Sequence, residues 1–244
     1  MGEKIYTIPM NDAFDAGTEC PFCLLRWELE KHAIEYTLGP SYMEDDNRAM
    51  TDEMGFCPTH IRMLYAEKNR LGVALMLKTH MDKTIREMEK LAEKDTPKAK
   101  GLLSRKQTDS ALIRYVDKLE QTCFVCSRIT PTFARYIDTF FHMWKHDQEF
   151  PEKVKASRGF CTEHYRDLYG AAPEKLNQSQ LDGFIPVLNQ VYFENMKRVN
   201  EDVSWFIDKF DYRNRDADWK NSRDALPRGI IKAVHTIVED GPAK

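Results

Sequence analysis

The chain has no long apolar run. None of its apolar stretches approaches the ~20 residues that a helix needs to cross a bilayer. Met1 to Phe14 also holds no basic region followed by an apolar core, which is the pattern of a secretory signal. We therefore expect a cytoplasmic protein without a membrane segment.

The chain has little net charge. Its 36 basic and 39 acidic residues give a formal charge of −3, whereas proteins that bind a phosphate backbone normally carry a clustered basic face. Nucleic acid is accordingly not an expected partner.

Patterns typical of β-strands are scarce. The chain has few β-branched runs and is rich in Leu, Met, Ala, Glu, Lys and Arg, which favours helix over strand. With 42% apolar residues, a chain of 244 residues can bury a sizeable core. The composition predicts an all-α globular protein.

The six cysteines form an ordered arrangement that repeats. The repeated elements are Cys20-Pro-Phe-Cys23 and Cys123-Phe-Val-Cys126, then Gly55-Phe-Cys57-Pro-Thr-His60 and Gly159-Phe-Cys161-Thr-Glu-His164. In the first copy 33 residues lie between Cys23 and Cys57, and in the second 34 lie between Cys126 and Cys161. This near-identity of spacing indicates an internal duplication.

Helical patterns flank the motifs in both copies. Helices are predicted over Leu24 to Leu38 and over Arg128 to His146, with Pro131 in the first turn of the latter. Apolar residues spaced by three or four then run from Ala74 to Ala92 and from Leu181 to Phe210. The sequence thus predicts pseudo-symmetric tandem helical modules. Their boundaries are a first repeat over residues 1–96, a connector over 97–108, a second repeat over 109–212 and a C-terminal docking tail over 213–244.

The motif residues have the types and spacing of metal ligands. Two side chains at positions i and i+3 can occupy one edge of a tetrahedron. We expect Cys20, Cys23, Cys57 and His60 to form one Cys3His set, and Cys123, Cys126, Cys161 and His164 to form the other. Ligands that cross between the copies remain an alternative. If the cysteines begin helices, the partial positive charge at each helix N-terminus stabilises their thiolates. The glycine before each Phe-Cys can supply the backbone conformation that a close approach to the site requires.

Two interpretations without metal compete with this one. The cysteines and histidines can be ordinary buried residues, but that leaves the duplicated spacing unexplained. They can also be redox dithiols of the thioredoxin type, but no βαβ pattern lies nearby and the Cys-x2-His elements then have no role.

Closed sets of three thiolates and one imidazole suit structural Zn²⁺, and we expect two zinc ions per chain. Cysteine-rich sets also hold iron–sulfur clusters, some with a histidine ligand, so an iron–sulfur cofactor is the alternative.

The duplicated motif, together with Lys209-Phe-Asp-Tyr-Arg213 near the end, resembles a bacterial domain-of-unknown-function family that is common in anaerobic Firmicutes. The resemblance covers nearly the whole chain and its motif residues fall on the eight ligands. It implies a bacterial cytoplasmic setting and transfers no activity.

Two further clusters were weighed. Asp138, His142 and His146 recur every fourth residue, which suits a solvated helix face better than a metal site. The tail holds basic residues beside Tyr212 and Trp219, but aspartates interrupt them, so a salt-bridged docking segment is preferred to a nucleic-acid site.

The chain has no Ser-His-Asp order, phosphate-binding glycine loop or dinucleotide fingerprint, so no enzyme is indicated. The predicted function is a zinc-binding scaffold or protein-interaction module with a protein partner. The alternative is a redox or iron–sulfur protein that uses the Cys3His sites for electron transfer or thiol sensing.

Overall fold

The computed structural model describes residues 4–95 and 110–238. Within these residues the chain forms eleven α-helices, two short 3-10 helices and no strand, which confirms the all-α prediction. The helices before the undescribed gap are α1 (Lys4–Asp15), α2 (Pro21–Leu38), α3 (Asp45–Met54), α4 (Pro58–Ala66) and α5 (Arg70–Lys94). Those after it are α6 (Ala111–Gln121), α7 (Phe124–His146), α8 (Phe150–Ala156), α9 (Thr162–Lys175), α10 (Gln178–Asp208) and α11 (Ala225–Val234). The 3-10 helices are Pro40–Met43 and Tyr212–Asn214.

The chain divides into two compact units that do not follow the order of the sequence repeats. Unit 1 comprises residues 1–28 and 132–244, and unit 2 comprises residues 29–131. The predicted boundaries near 96, 108 and 212 therefore mark repeats of the sequence and differ from those of the compact units. The predicted connector over 97–108 lies outside the described residues, and the pseudo-symmetry of the repeats stays a prediction.

Unit 1 is built around a cluster of phenylalanines. The fully buried rings include Phe22, Phe140, Phe160 and Phe184, and the Phe140 ring lies 5.7 Å from that of Phe22 and 6.2 Å from that of Phe160. Aromatic rings at such distances contribute beyond the area they bury. In the same unit, α10 packs against α8, α9 and α11.

Unit 2 has a smaller aliphatic core. Its buried members include Ile34, Leu64, Val73, Phe124 and Ile129. Helix α5 packs against α3, α4 and α6 in this unit.

The expected start of one helix was wrong. Helix α7 begins at Phe124 instead of near Arg128, so Pro131 lies inside the helix and not in its first turn. Proline has no N–H, so the helix lacks the backbone hydrogen bond to the Ser127 carbonyl at this position.

Among residues 4–95 and 110–238, none of the helices combines the length and the apolar character that crossing a bilayer requires.

Candidate metal centres

Four helix N-termini carry the eight motif residues. Cys20, Cys57, Cys123 and Cys161 each occupy the position immediately before a helix, namely α2, α4, α7 and α9. The second residue of each motif then lies in the first helical turn. Since free N–H groups and partial positive charge concentrate at a helix N-terminus, this placement favours thiolates. The cysteines thus begin helices, which is the condition under which the sequence led us to expect stabilised thiolates.

Site 1, in unit 1, consists of Cys20, Cys23, Cys161 and His164. The Sγ atoms of the three cysteines lie 3.3, 3.5 and 3.1 Å from Nδ1 of His164, respectively. None of the four residues is more than 3% exposed. Three sulfur atoms thus converge on one ring nitrogen in a dry environment.

Site 2, in unit 2, consists of Cys57, His60, Cys123 and Cys126. Nδ1 of His60 lies 3.2, 3.4 and 3.3 Å from the Sγ atoms of Cys57, Cys123 and Cys126. Cys57 and Cys126 are partly exposed, and their sulfur atoms are 4.0 Å apart. The ligand geometry matches that of site 1, but solvent reaches this site more easily.

The expected grouping of the ligands was wrong. Each site takes its Cys-x2-Cys pair from one repeat and its Cys-x2-His pair from the other, which is the crossed alternative.

Packing of phenylalanines inside the motifs explains the crossed arrangement. In site 1 the rings of Phe22 and Phe160 lie 6.1 Å apart, and in site 2 those of Phe56 and Phe124 lie 6.4 Å apart. A backbone hydrogen bond of 3.0 Å from Phe124 N–H to the Gly55 carbonyl also joins the two motifs of site 2. Motif residues that are distant in sequence are therefore packed against each other in pairs.

Both motif glycines adopt a backbone conformation that favours glycine. Gly55 has φ 59° and Gly159 has φ 80°, in the left-handed region. A Cβ atom on Gly159 would lie 2.8 Å from the carbonyl oxygen of Val191, and one on Gly55 would lie 2.6 Å from Nε2 of His80. The predicted role of these glycines in a close approach is confirmed.

The two histidines differ in the surroundings of their second ring nitrogen. Nε2 is buried without a hydrogen-bond partner in both His60 and His164. Around His164 the neighbours are aromatic, with the rings of Phe22 and Phe133 at 5.6 and 5.3 Å from the imidazole. Nε2 of His60 lies 3.7 Å from Oε1 of Glu30, just beyond hydrogen-bond distance. A carboxylate near the second nitrogen of a ligating histidine orients the ring and raises its basicity. No motif in the sequence marks Glu30 for this role, which sequence analysis missed.

The two thiols of each Cys-x2-Cys pair have opposite pKa shifts. Burial opposes ionisation of Cys123, but hydrogen bonding from His60 outweighs it and lowers the pKa of Cys123 to about 6. Burial and the neighbouring Cys123 raise the pKa of Cys126 to about 12. In site 1 the pKa of buried Cys20 is likewise lowered by its neighbours Cys161 and Cys23, while hydrogen bonding with Cys161 and Cys20 raises that of Cys23. The surrounding groups therefore do not stabilise three thiolates together, a charge that a bound divalent cation would offset.

A family model covers residues 1–240 of the chain. The chain belongs to DUF6062, a family of unknown function. Comparison with curated proteins and with solved structures finds no significant match.

The DUF6062 match includes the C-terminal segment of unit 1. Lys209 donates hydrogen bonds to the carbonyls of Asn214, Arg215 and Ala217, and Arg213 pairs with Asp211 at 2.6 Å. Lys209 and Arg213 therefore make their polar contacts within this segment.

The remaining cluster, on α7, does not gather into a metal-binding group within the described residues. Asp138 instead pairs with Lys175 at 2.7 Å. The rings of His142 and His146 lie against each other at an angle of 45°, with their centroids 4.7 Å apart.

Proposed function

We propose that each site binds one zinc ion, two per chain, and that the protein is a helical scaffold or protein-interaction module of the cytoplasm. The zinc ions tie helix starts of the two repeats together. The function itself lies in contacts with a protein partner. The observation that carries this proposal is the convergence of three Sγ atoms on one Nδ1 atom in both sites.

The distances between ligand atoms support a single tetrahedral ion. Bond lengths of about 2.3 Å for Zn–S and about 2.05 Å for Zn–N place sulfur about 3.6 Å from nitrogen and about 3.8 Å from another sulfur. The observed Sγ–Nδ1 distances are 3.1 to 3.5 Å, and the Cys57–Cys126 sulfur distance is 4.0 Å. A slightly longer Sγ–Nδ1 distance and a slightly shorter Sγ–Sγ distance would accommodate the ion.

The same distances favour one ion over an iron–sulfur cluster. All ligand atoms of a site lie within 4.8 Å of one another. The ligands of a cluster bind different iron atoms and are therefore farther apart than ligands that share one ion.

The ligand count supports a structural role. Catalytic zinc usually has three protein ligands and an open position, whereas structural zinc has four protein ligands. Each site offers four.

Six free thiols also require a reducing compartment, which agrees with the bacterial cytoplasm that the family resemblance implies.

An exposed apolar stripe on α5 supports a protein partner. Leu77, Met81 and Ile85 are 40%, 50% and 50% exposed, and their spacing of four residues places them on one face of the helix. A surface helix with such a stripe is a common protein-binding element.

We expect Met81→Asp to abolish binding of the protein partner. Met43→Asp, which changes another exposed methionine of unit 2, should leave that binding intact. Equal binding by the two variants would exclude the stripe.

A second candidate function is thiol sensing at site 2. It is favoured by the partial exposure of Cys57 and Cys126, since an oxidant can reach these thiolates and convert a zinc–thiolate site into a disulfide with release of the ion. Reversible release of one zinc per chain by hydrogen peroxide and a thiol reductant would support this function, and retention of both ions would exclude it.

Elemental analysis with an absorption spectrum tests the main proposal. Untagged protein purified without oxygen should contain about two zinc ions per chain and be colourless. Iron with labile sulfide and a broad visible band would overturn the proposal in favour of electron transfer or redox sensing.

A further inference from the structure

Unit 1 contains a cavity of about 590 Å³ beside site 1. The end of α8, one face of α10 and the segment that leads into α11 form its walls. Its cationic lining residues are Arg158, Arg198, Lys220, Arg223 and Arg228. The lining holds only two carboxylates, Asp202 and Asp224, so its net charge is +3.

Two of the five cations are neutralised within the protein. Arg228 pairs with Asp202 at 2.8 Å and with Asp224 at 2.9 Å. Arg198 pairs at 2.6 Å with Glu19, a carboxylate that is 2% exposed. Both carboxylates of the lining, Asp202 and Asp224, are therefore paired with Arg228.

Of the other three cations, Arg158 has one long ion pair, 3.8 Å from Glu19. Lys220 and Arg223 form no ion pair with any carboxylate in residues 4–95 and 110–238. Among the described residues, the ammonium of Lys220 contacts the Trp205 ring at 4.1 Å, and the guanidinium of Arg223 lies 5.9 Å from the Trp219 ring. Cation–π contacts hold these side chains in place but leave their N–H donors available.

The backbone at Lys220 is itself unusual. Its φ of 51° lies in the left-handed region, which is unfavourable for a residue with a Cβ atom. A glycine or asparagine would meet the backbone requirement at lower cost. The position instead carries a cation at the cavity wall.

Like charges that converge in a concave site repel one another and focus a positive potential there. The volume suits a small molecule, for which pockets of about 300–1,000 Å³ are usual. Guanidinium groups bind phosphate through paired N–H donors, and lysine adds a point charge. We propose that this cavity binds the phosphate group of a small molecule, with Arg158, Lys220 and Arg223 as its principal contacts.

Titration calorimetry on the zinc-loaded full chain tests the proposal. Inorganic pyrophosphate at low ionic strength should bind at one saturable site per chain. The double variant Lys220→Ala/Arg223→Gln should weaken binding at least tenfold, because it removes two of the three available cations. Both positions are exposed, so the variant should fold. The control Arg215→Gln removes an exposed charge from the same segment outside the cavity and should leave the affinity unchanged.

Two further probes distinguish the source of the phosphate. Adenosine monophosphate that binds more tightly than inorganic phosphate or pyrophosphate would identify an organic phosphate as the ligand, and the reverse order would identify a free phosphate. The proposal is overturned by the absence of saturable phosphate or pyrophosphate binding, by equal binding in the double variant, or by binding of citrate without the phosphates.

Discussion

At the scale of residues, the two sites differ most in the groups that surround their histidines, His60 and His164. Burial disfavours the charged form of His60, but the neighbouring Cys123 and Glu30 outweigh it and raise its pKa to about 10. With Nδ1 directed at the three sulfur atoms, the Nε2–H group is left to face Glu30. His164 has aromatic rings in the place of that carboxylate. The two histidines therefore require different support.

Replacing Glu30 should weaken metal binding at site 2 alone. Loss of a carboxylate that supports a ligating histidine typically lowers metal affinity by about 10- to 100-fold. We expect Glu30→Ala to have an effect of this size on one of the two ions, measured by competition with a chromogenic chelator. Glu35→Ala, at an exposed site on the same helix, is the matched control. Equal zinc affinities in the two variants would contradict the role of Glu30.

The motif glycine of site 1 provides a test of backbone geometry. Gly159→Ala should destabilise the protein by about 1–3 kcal/mol because its backbone is left-handed and the new Cβ meets the carbonyl of Val191. Gly170→Ala, inside α9 with nothing within 4 Å of the new Cβ, should instead stabilise it by up to about 1 kcal/mol. Urea denaturation followed by circular dichroism measures both changes. A neutral Gly159→Ala would show that the tight approach is not required.

At the scale of elements, α11 packs against α9 and α10 within unit 1 and adds one buried lysine to these contacts. Lys232 is 1% exposed and donates hydrogen bonds to the carbonyls of Glu19, Arg158 and Phe160. Burial lowers the pKa of this ammonium, and the charge of Glu19 partly offsets the effect. Since Glu19 precedes Cys20 and Phe160 precedes Cys161, the lysine joins the segments that carry the ligands of site 1.

Replacement of Lys232 should therefore release α11. Lys232→Met leaves three buried carbonyls without their donor, and we expect a loss of about 3 kcal/mol in the free energy of unfolding. Limited proteolysis should then cut between residues 220 and 234 well before the rest of the chain. Lys197→Met, at an exposed position on α10, should behave as the unchanged protein does. Equal cleavage rates in both variants would show that α11 is held by other contacts.

Features that a local rule determines could be predicted from the sequence. The glycines before Phe-Cys and the long amphipathic helices were predicted, because backbone freedom and periodicity act over a few residues. Pro131 was placed in a first turn because the helix was expected to begin at Arg128, whereas α7 begins at Phe124.

The grouping of the ligands could not be derived in the same way. Each Cys-x2-Cys pair fits either Cys-x2-His pair in chemistry and spacing, and only the contacts of Phe22 with Phe160 and of Phe56 with Phe124 distinguish them. Such contacts join residues more than 60 positions apart in the sequence, so a local sequence pattern cannot predict them. The position of Glu30 beside His60 was not predicted for the same reason.

For the whole molecule, the difference in burial between the sites predicts two rates of zinc loss. The ligands of site 1 are at most 3% exposed, whereas Cys57 and Cys126 of site 2 are partly exposed. A chelator should remove one ion rapidly and the other only on slower opening of unit 1. Stopped-flow and manual mixing with a chromogenic chelator should resolve two phases of equal amplitude, and Cys126→Ser should remove the fast one. A single phase would contradict the assignment.

The crossed ligation of two zinc ions is tested most directly by zinc stoichiometry in two double variants. Cys57→Ser/Cys123→Ser removes two ligands of site 2, so one zinc ion per chain should remain. Cys20→Ser/Cys57→Ser removes one ligand from each site, so neither ion should survive dialysis against a mild chelator. The opposite result, with one ion retained by Cys20→Ser/Cys57→Ser and none by Cys57→Ser/Cys123→Ser, would show that each repeat binds its own metal and would contradict the structure.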